Sequence, residues 1–590
     1  MSQQEAKNMA KYFYRASSSD FMKISGAPIA YWASDQLLSV FAENQPLRSV
    51  AKPVQGLITG DTERFARLWF EVDRSKTAYH CATTEDAEKS NKKWFPYNKG
   101  GDYRKWYGNY EYVVNWENNG YELKNFKSEN GKLLSRPQNE STYFREGLTW
   151  TAISSSYFAV RYCPPGSIGS NAGMMIFSTD KVEMISLISL LNSALVNHLI
   201  SCLTQTLNFD QGIISRIPVQ KHFKGTYAHR LIEIHKRDWD SSETSWDFEK
   251  LCLLECEHES ATLREAYLAN RRRWSGIVDE AQRLEVLNNQ ELISAFNLQE
   301  EVSPVTELES ITLSCNPYHK YGRTRGDKNY ESALQADSVR DIVSYAVGCI
   351  MGRYSLDAPG LILANQGEDL NDYLDRVQST RFIPDDDAIL PLTDQEWFSD
   401  DSTNRLCEFV QVAWGKEHLQ ENLDFVAESL CLHSIKSKQG ESARDTIRRY
   451  LSTQFFKDHL RTYKKRPIYW LFSSGKHKAF ECLVYLHRYN EGTLARMRTE
   501  YVIPLSAKLN AYAEKLEQDK EASTSAADTK RLEKEIATLH KQQSELAEFD
   551  EKLRHYADQR ISLDLDDGVK VNYGKFGDLL AEVKAVTGQK

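Results

Sequence analysis

The sequence predicts an α+β protein, in which a mixed α/β region of about 225 residues precedes a largely helical region. Short runs of alternating apolar and polar residues, separated by turn-forming Gly and Asn, are typical of the first part. From about Tyr227 onward, apolar residues recur every three or four positions, which is the period of an amphipathic helix. Hydrophobic residues make up 41% of the 590-residue chain, which is enough for the cores of several domains.

Residues 1–225 are expected to hold strands as well as helices. The run 110–116 alternates and lies between Asn/Gly turn signals at 108–109 and 118–120, so it predicts a strand. The most apolar stretch, 184–203, is long enough to span a bilayer. It contains Asn, His and Ser side chains, whose burial in lipid would be costly. We therefore predict a buried helix there and no contact with a membrane.

The pattern of apolar residues divides the helical remainder into several regions. Residues 226–300 predict a helical spacer, because apolar residues between 261 and 298 follow helical spacing. Residues 301–493 predict a mixed, mainly helical domain with a helical block at about 403–463.

The end of the chain predicts two hairpins. In 494–557, two apolar stripes flank a small polar turn, which is typical of an antiparallel helical hairpin, and Pro504 is expected to kink or break its first helix. We expect this hairpin to serve assembly or DNA binding; the alternative is that it packs on the helical domain as ordinary structure. In 558–590, residues 561–565 and 569–573 alternate around Asp567-Gly568, which predicts a β-hairpin followed by a tail.

Composition indicates a cytoplasmic protein with one region suited to a polyanion. Ten cysteines have no framework spacing, as in proteins of the reducing cytosol, and the start of the chain lacks the apolar core of a signal peptide. Residues 1–225 contain 26 basic and 21 acidic residues, whereas the remainder contains 48 and 62. Only the first part is therefore expected to meet a polyanion.

Motifs that would carry catalysis are incomplete. The glycine-rich stretch 166–173 fits neither a dinucleotide fingerprint nor a P-loop, and we interpret it as a surface loop. Adenine N6-methyltransferases use a polar residue, two prolines and an aromatic around the flipped base. Residues 163–166 and 316–318 each match only part of that pattern, so we interpret both as turns. We predict no catalytic residue and no cofactor site in this chain.

A metal site is not predicted either. Cys252 and Cys256 lie one helical turn apart near His258, but no second pair of ligands accompanies them. Buried helical cysteines are the commoner explanation.

The segment 92–109 is the one that suggests binding. It interleaves Lys and Arg with Trp, Phe and Tyr around two adjacent glycines, Gly100 and Gly101. Basic groups neutralise phosphates, aromatic rings pack on sugars or bases, and glycine permits a close approach of the backbone. The competing interpretation is a loop with aromatic core residues and solvated lysines, and composition does not separate the two.

Several stretches of the first part also resemble a known family. The target-recognition domain of TaqI-like and type IIG adenine methyltransferases is similar to residues 56–65, 92–109, 147–151, 190–193, 206–212 and 217–219. The C-terminal half of the BREX phage-exclusion methyltransferases of the PglX type resembles residues 237–248, 315–318, 344–356, 465–474 and 566–574. Together these similarities extend along nearly the whole chain.

The resemblance implies that residues 1–225 read a short asymmetric sequence in double-stranded DNA, so that one adenine is methylated at N6. Arg and Lys would contact guanine edges or phosphates, and Asn would contact adenine edges. The residues expected at the DNA are Thr59, Gly60, Asp61, Arg64, Lys92, Lys93, Trp94, Tyr97, Asn98, Lys99, Arg104, Lys105, Trp106 and Asn109.

Family members place an S-adenosyl-L-methionine domain before the recognition domain, and its motifs are not found in this sequence. The chain is then expected to be a fragment or a split-gene product without catalytic activity. Expected partners are DNA, a methyltransferase domain of the same or a separate chain, other BREX proteins and phage DNA-mimic inhibitors. Two alternatives stay open: a separate specificity subunit that recruits another methyltransferase chain, and an assembly platform that does not read DNA.

Overall fold

The computed structural model describes residues 17–178, 180–220, 224–255, 260–322 and 329–588. It confirms the predicted α+β class, and the chain divides into two compact units. The first unit comprises the described residues of Met1–Arg67, Lys76–Trp239 and Arg273–Gly326. The second comprises those of Leu68–Ser75, Asp240–Arg272 and Asp327–Lys590.

The described residues of the first unit hold strands and many short helices. Its strands are β1 (Gln45–Pro46), β2 (Lys52–Val54), β3 (Ala66–Leu68), β4 (Trp94–Asn98), β5 (Tyr112–Asn115), β6 (Gly147–Thr151), β7 (Val160–Cys163), β8 (Ile168–Gly169), β9 (Gly173–Phe177) and β10 (Pro218–Val219). Its helices are α1 (Ser18–Phe21), α2 (Asp35–Glu43), α3 (Thr62–Phe65), α4 (Thr84–Ser90), α5 (Glu117–Lys124), α6 (Lys181–Leu191), α7 (Ala194–Leu203), α8 (Gln211–Ile214), α9 (Ala228–Asp240), α11 (Leu263–Ala295) from Arg273 onward, and α12 (Pro317–Tyr321).

Two four-stranded sheets form the framework of this unit. One has the order β2-β9-β6-β7 and is antiparallel throughout. The other has the order β3-β5-β4-β8, with β8 parallel to β4. β5 confirms the predicted strand at 110–116.

The core of the first unit draws on residues far apart in the sequence. Leu148 and Trp150 of β6 are buried together with residues of α6 and α7, and with Leu231 of α9 and Leu284 of α11. The compact unit therefore extends past residue 225.

The stretch 184–203 is a pair of helices instead of one. α6 and α7 meet at an angle of 73°. The amide of Asn192 at the bend pairs with both the backbone N–H and the carbonyl of Val160, which holds the bend against β7. Of the described helices, none alone is long and apolar enough to cross a membrane. Among them, this bent pair alone has the combined length and apolar composition of a membrane span.

The glycine-rich stretch 166–173 is not the surface loop that we predicted. Its residues from Gly166 to Ser170 are buried as they connect β7, β8 and β9. A Cβ at Gly166 would lie 2.4 Å from the carbonyl oxygen of Tyr79, and one at Gly173 would lie 2.3 Å from that of Asn98. Glycine is needed here because backbones pack against each other.

The second unit is mainly helical around a small antiparallel sheet of order β11-β13-β12. Its strands are β11 (Ile389–Pro391), β12 (Tyr469–Ser473) and β13 (Glu481–Tyr485). Its helices are α10 (Cys252–Glu255), the start of α11 up to Arg272, α13 (Tyr330–Ile350), α14 (Leu370–Arg376), α15 (Ser402–Trp414), α16 (Leu419–His433), α17 (Ala443–Tyr450), α18 (Phe456–Thr462), α19 (Thr493–Arg496), α20 (Ile503–Ala522), α21 (Ala526–Asp558), α22 (Val569–Gly574) and α23 (Val583–Thr587).

The predicted helical hairpin is present as α20 and α21. Apolar residues of the two helices, among them Leu509 and Ile536, are buried along a shared seam. Pro504 does not break the first helix, because a π-helical segment, Met497–Val502, widens the helix directly before it.

The base of the hairpin packs on the rest of the second unit. Glu545 of α21 accepts hydrogen bonds from the Ser474 hydroxyl (2.8 Å) and from the backbone N–H of His477 (2.6 Å). The rings of Trp397 and Tyr512 lie 5.7 Å apart. This part of the hairpin is therefore ordinary structure, as in the alternative that we considered.

The predicted terminal β-hairpin is wrong. Leu565 begins a short 3-10 helix, and Val569 to Gly574 form α22. Leu565, Val569 and Tyr573 are buried, whereas Val571 is exposed, so the apolar side chains follow a period of four and not of two. The alternation that we read as a strand arises because a helix can also show apolar residues at every second position over one turn.

Candidate nucleic-acid interface

The segment 92–109 runs out along β4, turns at two glycines and returns into the core of the first unit. Gly100 and Gly101 both have positive φ, at +82° and +135°. A Cβ at Gly100 would lie 3.1 Å from the carbonyl oxygen of Ala172. These glycines allow the sharp reversal of the chain.

The returning half of the segment, residues 104–109, is called the anchor here. Arg104 forms an ion pair of 3.2 Å with Asp238 of α9. Glu285 of α11 accepts hydrogen bonds from the Lys105 ammonium (2.7 Å) and from the Trp106 indole N–H (2.8 Å). Two buried carboxylates thus fix the anchor to two helices.

Burial and pairing act against each other on these charges. Burial lowers the pKa of Lys105, whereas the neighbouring Glu285 carboxylate raises it. The net result is a raised pKa. Burial likewise raises the pKa of Asp238, yet Arg104 and hydrogen bonds from Ser314 and Cys315 lower it overall. Lys105 and Asp238 are therefore both charged at neutral pH.

Six of the predicted DNA contacts in segment 92–109 are buried within the first unit. The Tyr97 hydroxyl donates to the Leu57 carbonyl (2.9 Å), and the Asn98 amide contacts the sulfur atoms of Cys163 and Met175. The six buried residues are Trp94, Tyr97, Asn98, Lys105, Trp106 and Asn109. Their aromatic and amide groups take part in the packing of this unit.

The basic residues at the start of the segment remain partly exposed. The Lys93 ammonium lies 5.5 Å from the centre of the Trp94 ring, and that of Lys99 lies 4.7 Å from the Tyr112 ring. Partial burial lowers the pKa of Lys99. Lys92 is also partly exposed, so these three residues can still meet a phosphate, while Arg104 is committed to Asp238.

The other predicted segment, residues 59–64, has a structural role in most positions. Thr59 is buried, Gly60 has a positive φ of 77°, and Asp61 caps α3 by accepting from the Arg64 N–H (3.1 Å). The exposed Arg64 guanidinium pairs with Glu122 at 2.6 Å. Such an exposed pair is weak and can be exchanged for another anion.

A basic loop missed by the sequence reasoning lies beside that segment. Ile58 pairs with Arg136 through two backbone hydrogen bonds, of 3.0 and 2.8 Å. The residues 127–136, called the basic loop here, expose Lys127, Lys132 and Arg136. The sequence feature that could have predicted this loop is a turn at Gly131 between Lys127 and Lys132.

Four loops meet at one edge of the sheet β2-β9-β6-β7. The Thr151 hydroxyl donates to the Gly101 carbonyl (3.2 Å), and the Tyr103 and Tyr157 rings lie 6.3 Å apart. Ile153 forms a β-bridge with Asn208. We call this edge the loop rim; it comprises residues 99–103, 151–157, 170–172 and 204–208.

The loop rim exposes side chains suited to reading bases. Ile153, Tyr157 and Leu207 are 75%, 59% and 50% exposed. Ser155, Gln205 and Asn208 are exposed as well, and their side chains make no hydrogen bond to any residue that the structure describes. Hydroxyl and amide groups read base edges, and apolar groups contact the thymine methyl. The family resemblance covers parts of these loops, but Ser155, Gln205 and Asn208 are not among the residues that the sequence predicts at the DNA.

The other candidate catalytic and metal-binding residues of the sequence have structural roles or lie outside the described residues. Asn316 caps α12 and donates to the Leu308 and Ile311 carbonyls, so residues 316–318 are the start of a helix and not the turn that the sequence predicts. Among the described residues, no cluster of three His, Cys, Asp or Glu could hold a metal ion. Cys256 and His258 lie outside the described residues.

The sequence is similar to two curated proteins along nearly its whole length. It is 45% identical over 587 residues to an adenine-specific methyltransferase, BrxX, from Escherichia coli O9:H4 (strain HS), covering 98% of this chain and 47% of that protein. It is 37% identical over 585 residues to an adenine-specific methyltransferase, PglX, from Lacticaseibacillus casei (strain Zhang), covering 96% of this chain and 45% of that protein. The chain thus spans about half the length of the curated relatives it matches. No family model matches the sequence.

Proposed function

We propose that this chain is the DNA-recognition part of an adenine-specific methyltransferase of the BREX phage-exclusion type. The observation that carries the proposal is its similarity along nearly the whole chain to two adenine-specific methyltransferases. The role of recognition, as opposed to catalysis, is supported by the incomplete proline motifs at 163–166 and 316–318, which are a partly exposed turn and the start of a helix here.

The first unit would read the DNA sequence through the loop rim. Its uncommitted hydroxyl and amide groups match the donors and acceptors of base edges in the major groove. Lys92, Lys93 and Lys99, together with the basic loop, would contact phosphates and set the register of the protein on the duplex. This division assigns specificity and affinity to different side chains of the same unit.

The catalytic step would belong to a partner domain. An S-adenosyl-L-methionine-binding domain, in the same or another chain, would flip and methylate the adenine that the first unit selects. Other BREX proteins and phage DNA-mimic inhibitors would be further partners, the latter by competing for the DNA-binding surface. The second unit, with its helical hairpin, is the candidate for protein contacts.

The proposal is tested by selecting bound duplexes from a randomised DNA library with the full 590-residue chain. We expect one short asymmetric motif to be enriched, because base contacts specify sequence. The triple variant Ser155→Ala, Gln205→Ala, Asn208→Ala should lose preference at one or more positions of that motif, by about 1–3 kcal/mol for each base it reads.

A matched control removes similar exposed groups from the second unit, through Ser437→Ala and Gln439→Ala. This control should select the same motif as the unchanged chain. If the unchanged chain enriches no motif, the recognition role is wrong, and the assembly-platform alternative is favoured. If the rim variant keeps the full motif, the bases are read elsewhere.

A further inference from the structure

Arg161 is a buried cation without a matching anion. It belongs to β7 of the first unit, and its exposed fraction is only 2%. One guanidinium nitrogen, Nη2, donates to the Thr151 hydroxyl at 3.3 Å, and the buried Nε has no acceptor among the described residues. No carboxylate of a described residue lies within ion-pair distance of it. Burial lowers the pKa of Arg161 to about 10, so the group is still charged at neutral pH.

Two other buried cations of the described residues have a carboxylate partner. Lys105 has Glu285 at 2.7 Å, and Arg448 in the second unit has Asp401 at 2.7 Å. Pairing is the rule because a charge taken out of water is costly unless a counter-charge or a full set of hydrogen bonds compensates it. The buried guanidinium of Arg353 in the second unit also lacks a carboxylate, but it donates to the hydroxyls of Tyr354 and Tyr485. Arg161 donates only to Thr151 among the described residues, and Arg104 adds a second positive charge nearby.

The position of Arg161 connects it to the surface. The Thr151 hydroxyl that accepts from its guanidinium donates in turn to the carbonyl of Gly101. Gly101 is exposed at the tip of the turn and lies within the loop rim. A polar path of two hydrogen bonds thus runs from the buried guanidinium to the edge of the candidate DNA interface. The two glycines leave the turn free of the side chains that would block an approaching group.

We propose that Arg161 and Thr151 form a phosphate site for the DNA backbone, closed by the Gly100-Gly101 turn in the unbound chain. When the turn moves aside, the Thr151 hydroxyl and the Arg161 guanidinium face a phosphodiester oxygen, which supplies the missing negative charge. The inference rests on the proposed function, because the phosphate belongs to the DNA that the loop rim reads. It adds a DNA-binding residue that sequence reasoning did not select.

The site predicts an unusual combination of effects for Arg161→Met in the full chain. Affinity for a mixed-sequence duplex should fall about tenfold, which is the effect of removing one charge-assisted hydrogen bond to a phosphate. The slope of log affinity against log salt should become less steep by about 0.9, since one fewer phosphate is neutralised. The melting temperature should stay the same or rise, because an uncompensated buried charge is removed.

Two further variants keep the result interpretable. Arg448→Met is the matched control, because it leaves the Asp401 carboxylate buried without its cation. Its melting temperature should fall, while the salt dependence of DNA affinity stays unchanged. Thr151→Val removes only the hydroxyl at nearly constant volume and should weaken duplex binding in the same direction as Arg161→Met. This variant also tests the site if Arg161→Met fails to fold.

Several outcomes would overturn the inference. One is that Arg161→Met lowers the melting temperature as Arg448→Met does and keeps the salt slope of the unchanged chain. Another is that inorganic phosphate raises the melting temperature of the unchanged chain but not of Arg161→Met while the duplex binds both equally, which would make the site one for free phosphate. If the unchanged chain binds no duplex at all, the proposed function fails first. If it binds and Arg161→Met binds equally well with the same slope, only this inference fails.

Discussion

The anchor and the loop rim are joined by one glycine turn, yet they use polar side chains in opposite ways. In the anchor, Arg104 and Lys105 are held by Asp238 and Glu285 inside the first unit. On the loop rim, the side chains of Ser155, Gln205 and Asn208 are exposed and have no hydrogen-bond partner among the described residues. The basic and aromatic composition of segment 92–109 therefore reflects packing in its second half. The base reading that we propose uses loops with few charges instead.

The largest expected effect would come from separating a buried pair in the anchor. Lys105→Met leaves the Glu285 carboxylate buried with only the Trp106 indole as a partner among the described residues. Removing one member of a buried pair destabilises by about 3–5 kcal/mol, and chemical denaturation measures this as a lower free energy of unfolding. DNA affinity, measured where the variant is still folded, should be unchanged.

The double variant Lys105→Met, Glu285→Leu is the control for that experiment. It removes both charges and should recover part of the stability, because no unpaired charge is left. A stable Lys105→Met chain with reduced DNA affinity would show instead that Lys105 works at the interface, and the contrast between anchor and loop rim would break down.

A smaller effect is expected from the buried histidine beside the anchor. His235 of α9 lies with its ring centre 6.5 Å from that of Trp106, and burial lowers its pKa to about 3. In the unfolded chain it titrates near pH 6.5. Its neutral form therefore contributes stability above pH 6.5, and this contribution is lost as the pH falls from 6.5 toward 3.

The unfolding free energy should thus decrease on acidification, by up to about 1.4 kcal/mol per pH unit for this residue below pH 6. His235→Phe should show a flatter dependence between pH 6 and pH 4.5, as measured by denaturation at each pH. His459 and His487 in the second unit, with pKa values lowered by burial to about 3 and about 4, should maintain the remaining dependence. Equal slopes for the two chains would mean that His235 is not kept neutral.

Secondary structure was largely predictable, because it follows local periodicity. The long helix at 261–298 and the helical hairpin were both visible as apolar stripes, and α11 and α21 confirm them. The predicted terminal hairpin was not, since residues 565–573 satisfy both a strand and a helix pattern. The exposure of Val571 between the buried Val569 and Tyr573 separates the two patterns. Short apolar runs are ambiguous for this reason.

The site was less predictable, because exposure depends on partners that are distant in the sequence. Lys105 became a core residue through Glu285, which lies 180 positions away. Arg161 gave no signal at all in the sequence, since its burial without a carboxylate neighbour among the described residues is a property of the fold. A basic residue in a sequence therefore predicts a charge, and only the fold tells whether that charge can reach a ligand.

The smallest expected effect belongs to the lysines that the fold leaves partly exposed. Lys93→Ala with Lys99→Ala should make the salt slope of duplex binding less steep by about 0.9 for each phosphate that is no longer neutralised. The decrease in affinity should be uniform across DNA sequences, because phosphate contacts carry no sequence information. Folding should change by less than about 0.5 kcal/mol, since both side chains are partly exposed. Binding isotherms at several salt concentrations give the slope, and Lys436→Ala with Lys438→Ala, in the second unit, is the matched control.

If the control variant lowers the slope as much as the Lys93 and Lys99 pair does, the attraction comes from the net charge of the chain as a whole. The position of a lysine would then count for less than the number of lysines, and the distinction between anchored and exposed charge would hold for stability alone.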